Sequence, residues 1–159
     1  MSYWLMKSEP STFGIDDLAR APRQTAGWDG VRNYHARNML RDDCRVGDRA
    51  FFHHSSCAVP GIVGTMEVVR AGHPDPTQFD RRSKHYDAGS DPASPRWYQV
   101  EVRLVRKFAE PVTLEALRKH ASGLLADLAL LRRGNRLSVM PVTADEWKFI
   151  HRLAHERPR

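Results

Sequence analysis

The segment WYQVEVRLVRKF, residues 97–108, sets Val100, Val102 and Leu104 against Gln99, Glu101 and Arg103 in strict alternation. Successive side chains of a strand point to opposite faces, so a period of two demands a half-buried strand and excludes a helix there. Other stretches read the same way. SYWLMK at residues 2–7 is apolar and aromatic enough for a strand, and RVGDRAFFHH at 45–54 is a Gly-Asp turn feeding another. GIVGTMEVV at 61–69 supplies one more, with Gly64 marking a bulge or a close approach of backbone, and NRLSVMPV at 135–142 is a short strand stopped by Pro141.

Helical signals fall between these strands. IDDLAR at 15–20 is a short helix with acids in its first turn and Gly14 as N-cap. Asn33 is positioned to cap a helix over Tyr34 to Leu40, with Tyr34, Met39 and Leu40 turned partly to the core. TLEALRKHASGLLADLALL at 113–131 predicts a leucine-rich helix interrupted near Gly123, and TADEWKFIHRLA at 143–154 predicts a helix opened by a Thr143–Glu146 capping box. Between Ala71 and Arg96 the chain holds four prolines, two glycines and no long periodic segment, which predicts a long surface loop of the kind that often carries function. This mixed order predicts an α+β fold, about five to six strands bent into a small curved β-barrel flanked by short helices.

At 159 residues the chain fits one domain, taken as residues 1–155, with 156–159 as a tail at a frayed helix end. No run approaches the roughly 18 apolar residues of a spanning helix, and MSYWLMKSEP lacks the build of a signal peptide. A monomer in the cytoplasm, or in the nucleus of a eukaryotic host, without a membrane partner is expected. Cys44 and Cys57 fit neither a CxxC pair nor a zinc pattern, so free thiols and no metal site are expected. The net charge of +6 and pI near 9.7 favour a polyanionic partner.

Several residues invite a functional assignment. Trp4 and Trp147 lie on strand and helix positions that suit the core. Trp28 and Trp97 sit at turn-to-element junctions near arginines, where a ring can stack a base or pack inward. Lys7, Ser8 and Glu9, ahead of Pro10, bring a cation, a hydroxyl and a carboxylate to the end of the first strand. His53 and His54 are adjacent on a strand and so face opposite sides, which argues against a shared catalytic task and leaves one of them free to face a pocket. The acid pairs Asp16/Asp17 and Asp42/Asp43 read as solvated helix edges. No dinucleotide fingerprint, P-loop, G-x-S-x-G elbow, H-E-x-x-H helix or zinc-deaminase set is present, so no enzyme active site and no cofactor are expected.

Taken together, YWLMKSEP, WDGVRNYHARN, GDRAFFHHS, GIVGTMEVV, the DPTQFD to SPRW stretch and RLSVMPV resemble the EVE domain, a PUA-like family, in family order from about Tyr3 to Ile150. The resemblance implies a PUA-like fold and a non-catalytic module that binds nucleic acid, DNA in preference to RNA, through a pocket for a flipped base of the 5-methylcytosine or 5-hydroxymethylcytosine type. The alternatives it leaves open are an RNA-binding module without modified-base preference and an accessory subunit of a nucleic-acid-modifying or restriction enzyme. The implied pocket wall is Lys7, Ser8, Glu9, Trp28, Val31, Arg32, Asn33, Tyr34, His54, Ser55, Arg96, Trp97, Leu137 and Ser138. Arg37, Arg41, Arg45, Arg81, Arg82 and Lys84 are expected to meet phosphates. Two positions depart from the family pattern: His53 stands where a tyrosine is expected, and Met140 where a glutamine is expected.

Overall fold

The computed structural model describes residues 1–158; Arg159, the end of the expected tail, lies outside the described residues. Six strands form one sheet: β1 (Tyr3–Ser8), β2 (Thr25–Gly27), β3 (Arg49–His54), β4 (Gly61–Pro74), β5 (Tyr98–Thr113) and β6 (Val139–Val142), in the order β2-β5-β4-β3-β1-β6. The pair β1–β3 is parallel and every other pairing is antiparallel. Helices α1 (Pro10–Phe13), α2 (Ile15–Arg20), α3 (Tyr34–Asn38) and α4 (Leu114–Arg118) fill connections between strands, and α5 (Ala144–Leu153) follows β6.

The sheet is open, which corrects the expected barrel. β2 and β6 are its edges, each hydrogen-bonded to a single neighbour. A barrel removes edges by pairing its first and last strands and buries its apolar side by curling on itself. Here both faces are covered by other elements instead. Trp4, Met6, Phe52, Met66, Val100 and Val102 pack against Ile15 and Leu18 of α2, Trp28 and the α3 segment. Leu5, Phe51, Ile62, Phe108 and Met140 pack on the opposite face against α4, the leucine-rich segment after it and α5. The alternation Trp4–Leu5–Met6 and Phe51–Phe52 thus serves two cores rather than one core and solvent. Burial of Trp4 and Trp147 agrees with their strand and helix positions; Trp147 stacks on Phe51 at 4.1 Å and on Tyr3 at 4.7 Å.

Length differences between strands are absorbed locally. Register shifts flank Gly64, where an added Cβ would collide with the Arg106 carbonyl and Ile15 Cδ1, so the glycine answers to both a bulge and a close approach. The helix expected over 113–131 is cut short: α4 stops at Arg118, turns run to Asp127, and one 3-10 turn covers Ala129–Leu131. Gly123, a weak helix former, sits in the broken stretch, and the His120 carbonyl there accepts from both Gly123 N and Leu125 N. All three predicted caps are in place: Gly14 caps α2, Asn33 Oδ1 accepts from Ala36 N at 3.0 Å, and the Thr143–Glu146 box closes at 2.9 and 3.1 Å.

One buried carboxylate fixes the start of β1 against the turn before β3. Asp48, 2% exposed, accepts from Ser2 N at 2.9 Å, Trp4 Nε1 at 3.0 Å and Arg45 N at 2.9 Å. Asp48→Ala strands three donors, one of them on a buried indole, and is expected to lower stability by about 3 kcal/mol. Urea denaturation checks this: the midpoint should fall with the slope unchanged.

Candidate functional site

A cavity of about 640 Å³ opens where the end of β1, α1, the turn after β2 and the loop after β4 converge. Its aromatic wall is Trp28 and Phe13, whose rings meet edge to face with centroids 6.4 Å apart. Trp28 is held from behind. Its amide donates to the Val100 carbonyl at 2.8 Å and its ring meets Phe52 edge to face at 5.0 Å, so one part of the indole is core while another faces the cavity. Val31 adds apolar surface, and Ser138 closes the side nearest β6.

Polar groups ring this wall. Ser8 Oγ donates to the Phe13 carbonyl at 2.7 Å, which sets the tight turn into α1, and Glu9 follows exposed at the rim. Lys7 borders the cavity, and burial lowers its pKa from the ordinary lysine value. Asp29 keeps solvent contact at the mouth, yet the packed protein around it, and then the Asp75 charge, push its pKa up. Gly30 is held at φ +76°, with His85 so close over it that any Cβ would strike the ring, which makes this turn a glycine position twice over. Across the mouth, Lys84 Nζ donates to Thr12 Oγ1 at 3.1 Å, tying the loop after β4 to α1.

That loop is the long segment anticipated from sequence, and it is organised by buried polar groups. Asp75, fully buried, accepts from Gly30 N at 2.8 Å, Arg32 Nη1 at 3.1 Å and Thr77 N at 2.8 Å. Burial works to raise its pKa, but the hydrogen bonds from Thr77, Gly30 and Arg32 together hold it below the ordinary value. Arg32 also reaches the His85 carbonyl at 2.7 Å and lies over the Trp97 ring at 5.2 Å. Gln78, also fully buried, bonds the carbonyls of Asp75 and Trp97 through its amide.

Of the residues expected to form one pocket wall, Lys7, Ser8, Glu9, Trp28, Val31 and Ser138 come together at this cavity. The others lie elsewhere. Arg32 stands behind the mouth, and Asn33 is spent on capping α3. Trp97 is 7% exposed, donates from Nε1 to Asp87 at 2.7 Å, and is covered by Tyr34 stacked at 4.8 Å. Arg96 sits beside Asp87 at 3.6 Å. His54 Nε2 accepts from Ile15 N at 3.1 Å, and Leu137 packs between the two cores. Ser55 borders a second cavity, of about 500 Å³, together with His53. The two histidines therefore part as their alternation demands. Among the expected phosphate contacts, Lys84, Arg81 and Arg82 sit exposed on the mouth loop, Arg45 is exposed before β3, Arg41 pairs with Asp42 at 2.7 Å, and Arg37 lies over Tyr34 at 4.9 Å.

Sequence reasoning missed Phe13, Asp29, Thr77 and His85 at the cavity. Asp29 carried a signal, an acid between Trp28 and Gly30 in a turn; the other three arrive through tertiary contacts alone. The described residues contain no group of three or more His, Cys, Asp or Glu placed to hold a metal ion.

Comparison with known proteins came to one family. The EVE domain profile matches residues 2–153. Thymocyte nuclear protein 1 of Danio rerio is 44% identical over 172 aligned residues, spanning 99% of this chain and 74% of that protein. A crystal structure of a Pseudomonas putida protein superposes with a TM-score of 0.91 at 46% identity, covering 96% of this chain and 99% of that one. Human THYN1 protein in complex with 5-methylcytosine containing DNA superposes with a TM-score of 0.92 at 40% identity, covering 99% of this chain and 100% of that one.

Burial, then the Lys7 charge, pulls the His53 pKa down from 6.5 to about 4. Between those values an unfolded chain takes up a proton that the folded state refuses, so stability is full above pH 6.5 and falls as pH drops toward 4, by about 3 kcal/mol from this group. Thermal unfolding at pH 7 and pH 4.5 should show the drop, and His53→Phe should flatten it.

Proposed function

The chain belongs to the EVE-domain family, and on that premise we propose that it is a non-catalytic reader of DNA that takes 5-methylcytosine, turned out of the double helix, into the first cavity. The observation that carries this is the human relative, solved with 5-methylcytosine containing DNA and superposing over 99% of this chain. The cavity suits the task. Its volume of about 640 Å³ falls within the roughly 300–1,000 Å³ of small-ligand sites, ample for a nucleoside.

Turning out a base costs a few kcal/mol of stacking and pairing, and stacking on the Trp28 and Phe13 wall returns about 1–3 kcal/mol. The Asp29 carboxylate is an acceptor for the exocyclic amino group of cytosine, which thymine lacks. Contact of the 5-methyl group with apolar wall adds about 0.8 kcal/mol, a factor of about four, so stronger preference over cytosine must come from the shape of the cavity. Arg32, Asn33, Tyr34 and Trp97 act one layer behind, holding the mouth rather than touching the base. Lys84, Arg81, Arg82, Arg37, Arg41 and Arg45 supply the positive field that draws the phosphate backbone and orients it without reading sequence. The vertebrate relatives are named as nuclear proteins, and a DNA reader shares a compartment with DNA: the nucleus in a eukaryotic host, the cytoplasm otherwise.

Fluorescence anisotropy with duplexes carrying one 5-methylcytosine or one cytosine tests the proposal; equal affinity of the wild type for both would overturn it. Asp29→Ala is expected to lose about tenfold in affinity for the modified duplex. Binding through that carboxylate weakens as pH falls through a pKa raised above the ordinary aspartate value, and the variant should lack this dependence. Lys84→Ala should weaken both duplexes alike and reduce the salt slope by about one.

A further inference from the structure

The second cavity lies on the other face of the sheet, between the end of β3, α4 and the segment 130–135. Its charged border is of one sign. Lys7, Arg118, Arg132 and Arg133 surround about 500 Å³, and no aspartate or glutamate lines it, whereas the first cavity has Glu9 and Asp29. Arg118, Arg132 and Arg133 form no ion pair among the described residues. Ser55 and Ser56 add neutral donors. Asn135 is fixed in place, donating from Nδ2 to the Ala129 carbonyl at 2.8 Å and accepting from Leu137 N at 3.1 Å.

A second, independent feature sits at the inner end. His53 is 2% exposed, borders this cavity, and neither of its ring nitrogens has a hydrogen-bond partner among the described residues. Buried polar atoms are nearly always partnered, because an unmet donor or acceptor forfeits its solvation. A buried imidazole aimed into a space ringed by unpaired cations calls for a ligand that accepts hydrogen bonds from several directions and carries negative charge. A carboxylate offers two oxygens in a plane; a phosphoryl group offers three and up to two charges, which matches donors converging from three chain segments.

We propose that this cavity is a second binding site, specific for a phosphoryl group, with Arg132, Arg133 and Arg118 neutralising its charge and His53 donating one hydrogen bond from the cavity floor. The site does not depend on base reading in the first cavity. Its ligand is either a terminal phosphate of nucleic acid or a free phosphorylated molecule, since both present the same group. Lys7 borders both cavities and stands in register beside His53, so the two sites meet at one strand end.

The test is calorimetric titration with inorganic phosphate and with deoxycytidine 5′-monophosphate, at constant ionic strength against chloride, while the His53 ring is followed by NMR. Saturable binding that shifts the His53 resonances, and weakens at least tenfold in the exposed double variant Arg132→Ala/Arg133→Ala, supports the site. The same variant should keep its preference for a 5-methylcytosine duplex, which separates this site from the base pocket. Tighter binding of a 5′-phosphorylated oligonucleotide than of its unphosphorylated twin, lost in the double variant, assigns the group to nucleic acid. Equal binding of the two oligonucleotides with retained affinity for the monophosphate assigns it to a free ligand. No saturable binding, unmoved His53 resonances at saturation, or undiminished affinity in the folded double variant would each overturn the proposal.

Discussion

The Asp75 carboxylate is fully buried, and the hydrogen bonds it accepts come from two segments far apart in the sequence. Gly30 and Arg32 belong to the turn after β2; Thr77 belongs to the loop after β4. Burying a carboxylate is unfavourable unless its oxygens are matched, and here charge-assisted bonds do the matching. The consequence is positional. With Asp75 in place, Trp28, Asp29 and Val31 approach from one side and Thr77, Lys84 and His85 from the other, and the space between them is the first cavity. Removing one partner would leave a buried charge unmatched, so the pair Arg32–Asp75 fixes cavity geometry more than it adds to net stability.

Local patterns were legible where local physics decides. The alternation of Val100, Val102 and Leu104 became β5, Asn33 and Thr143 became caps, and the neighbouring histidines separated to opposite faces. The closed barrel was not legible, because whether an edge strand finds a partner depends on what covers the faces. Half of the alternating residues of β1 and β3 turned out to serve a second core, and no periodicity in those strands distinguishes a helix-covered face from a curled one. Trp97 shows the same limit at one residue. A ring beside an arginine at a junction looks alike whether it stacks a base or, as here, is enclosed by Tyr34, Arg32 and Asp87. Phe13, Thr77 and His85 carry no local mark at all, since only tertiary contacts bring them to the mouth.

The sheet also separates two chemistries. The face with Trp28 and Phe13 presents aromatic surface with acids of its own, while the opposite face at the same strand ends presents arginines and an unmatched imidazole. The two positions expected to depart from the family pattern both fall on that second side. His53 lines its cavity, and the Met140 sulfur takes a weak bond from Asn135 at 3.7 Å.

The placement of β1 between β3 and β6 has a kinetic meaning. Its parallel partner β3 begins at Arg49 and its antiparallel partner β6 begins at Val139, so one side of this strand waits for residues more than a hundred positions away. Pairings of such sequence separation slow folding, because loop closure must precede the contacts that reward it. During synthesis, the flank of β1 that β6 will cover stays open until residues 139–142 have left the ribosome. Until then that flank, with Trp4, Leu5 and Met6 beside it, is a strand edge exposed to neighbouring nascent chains.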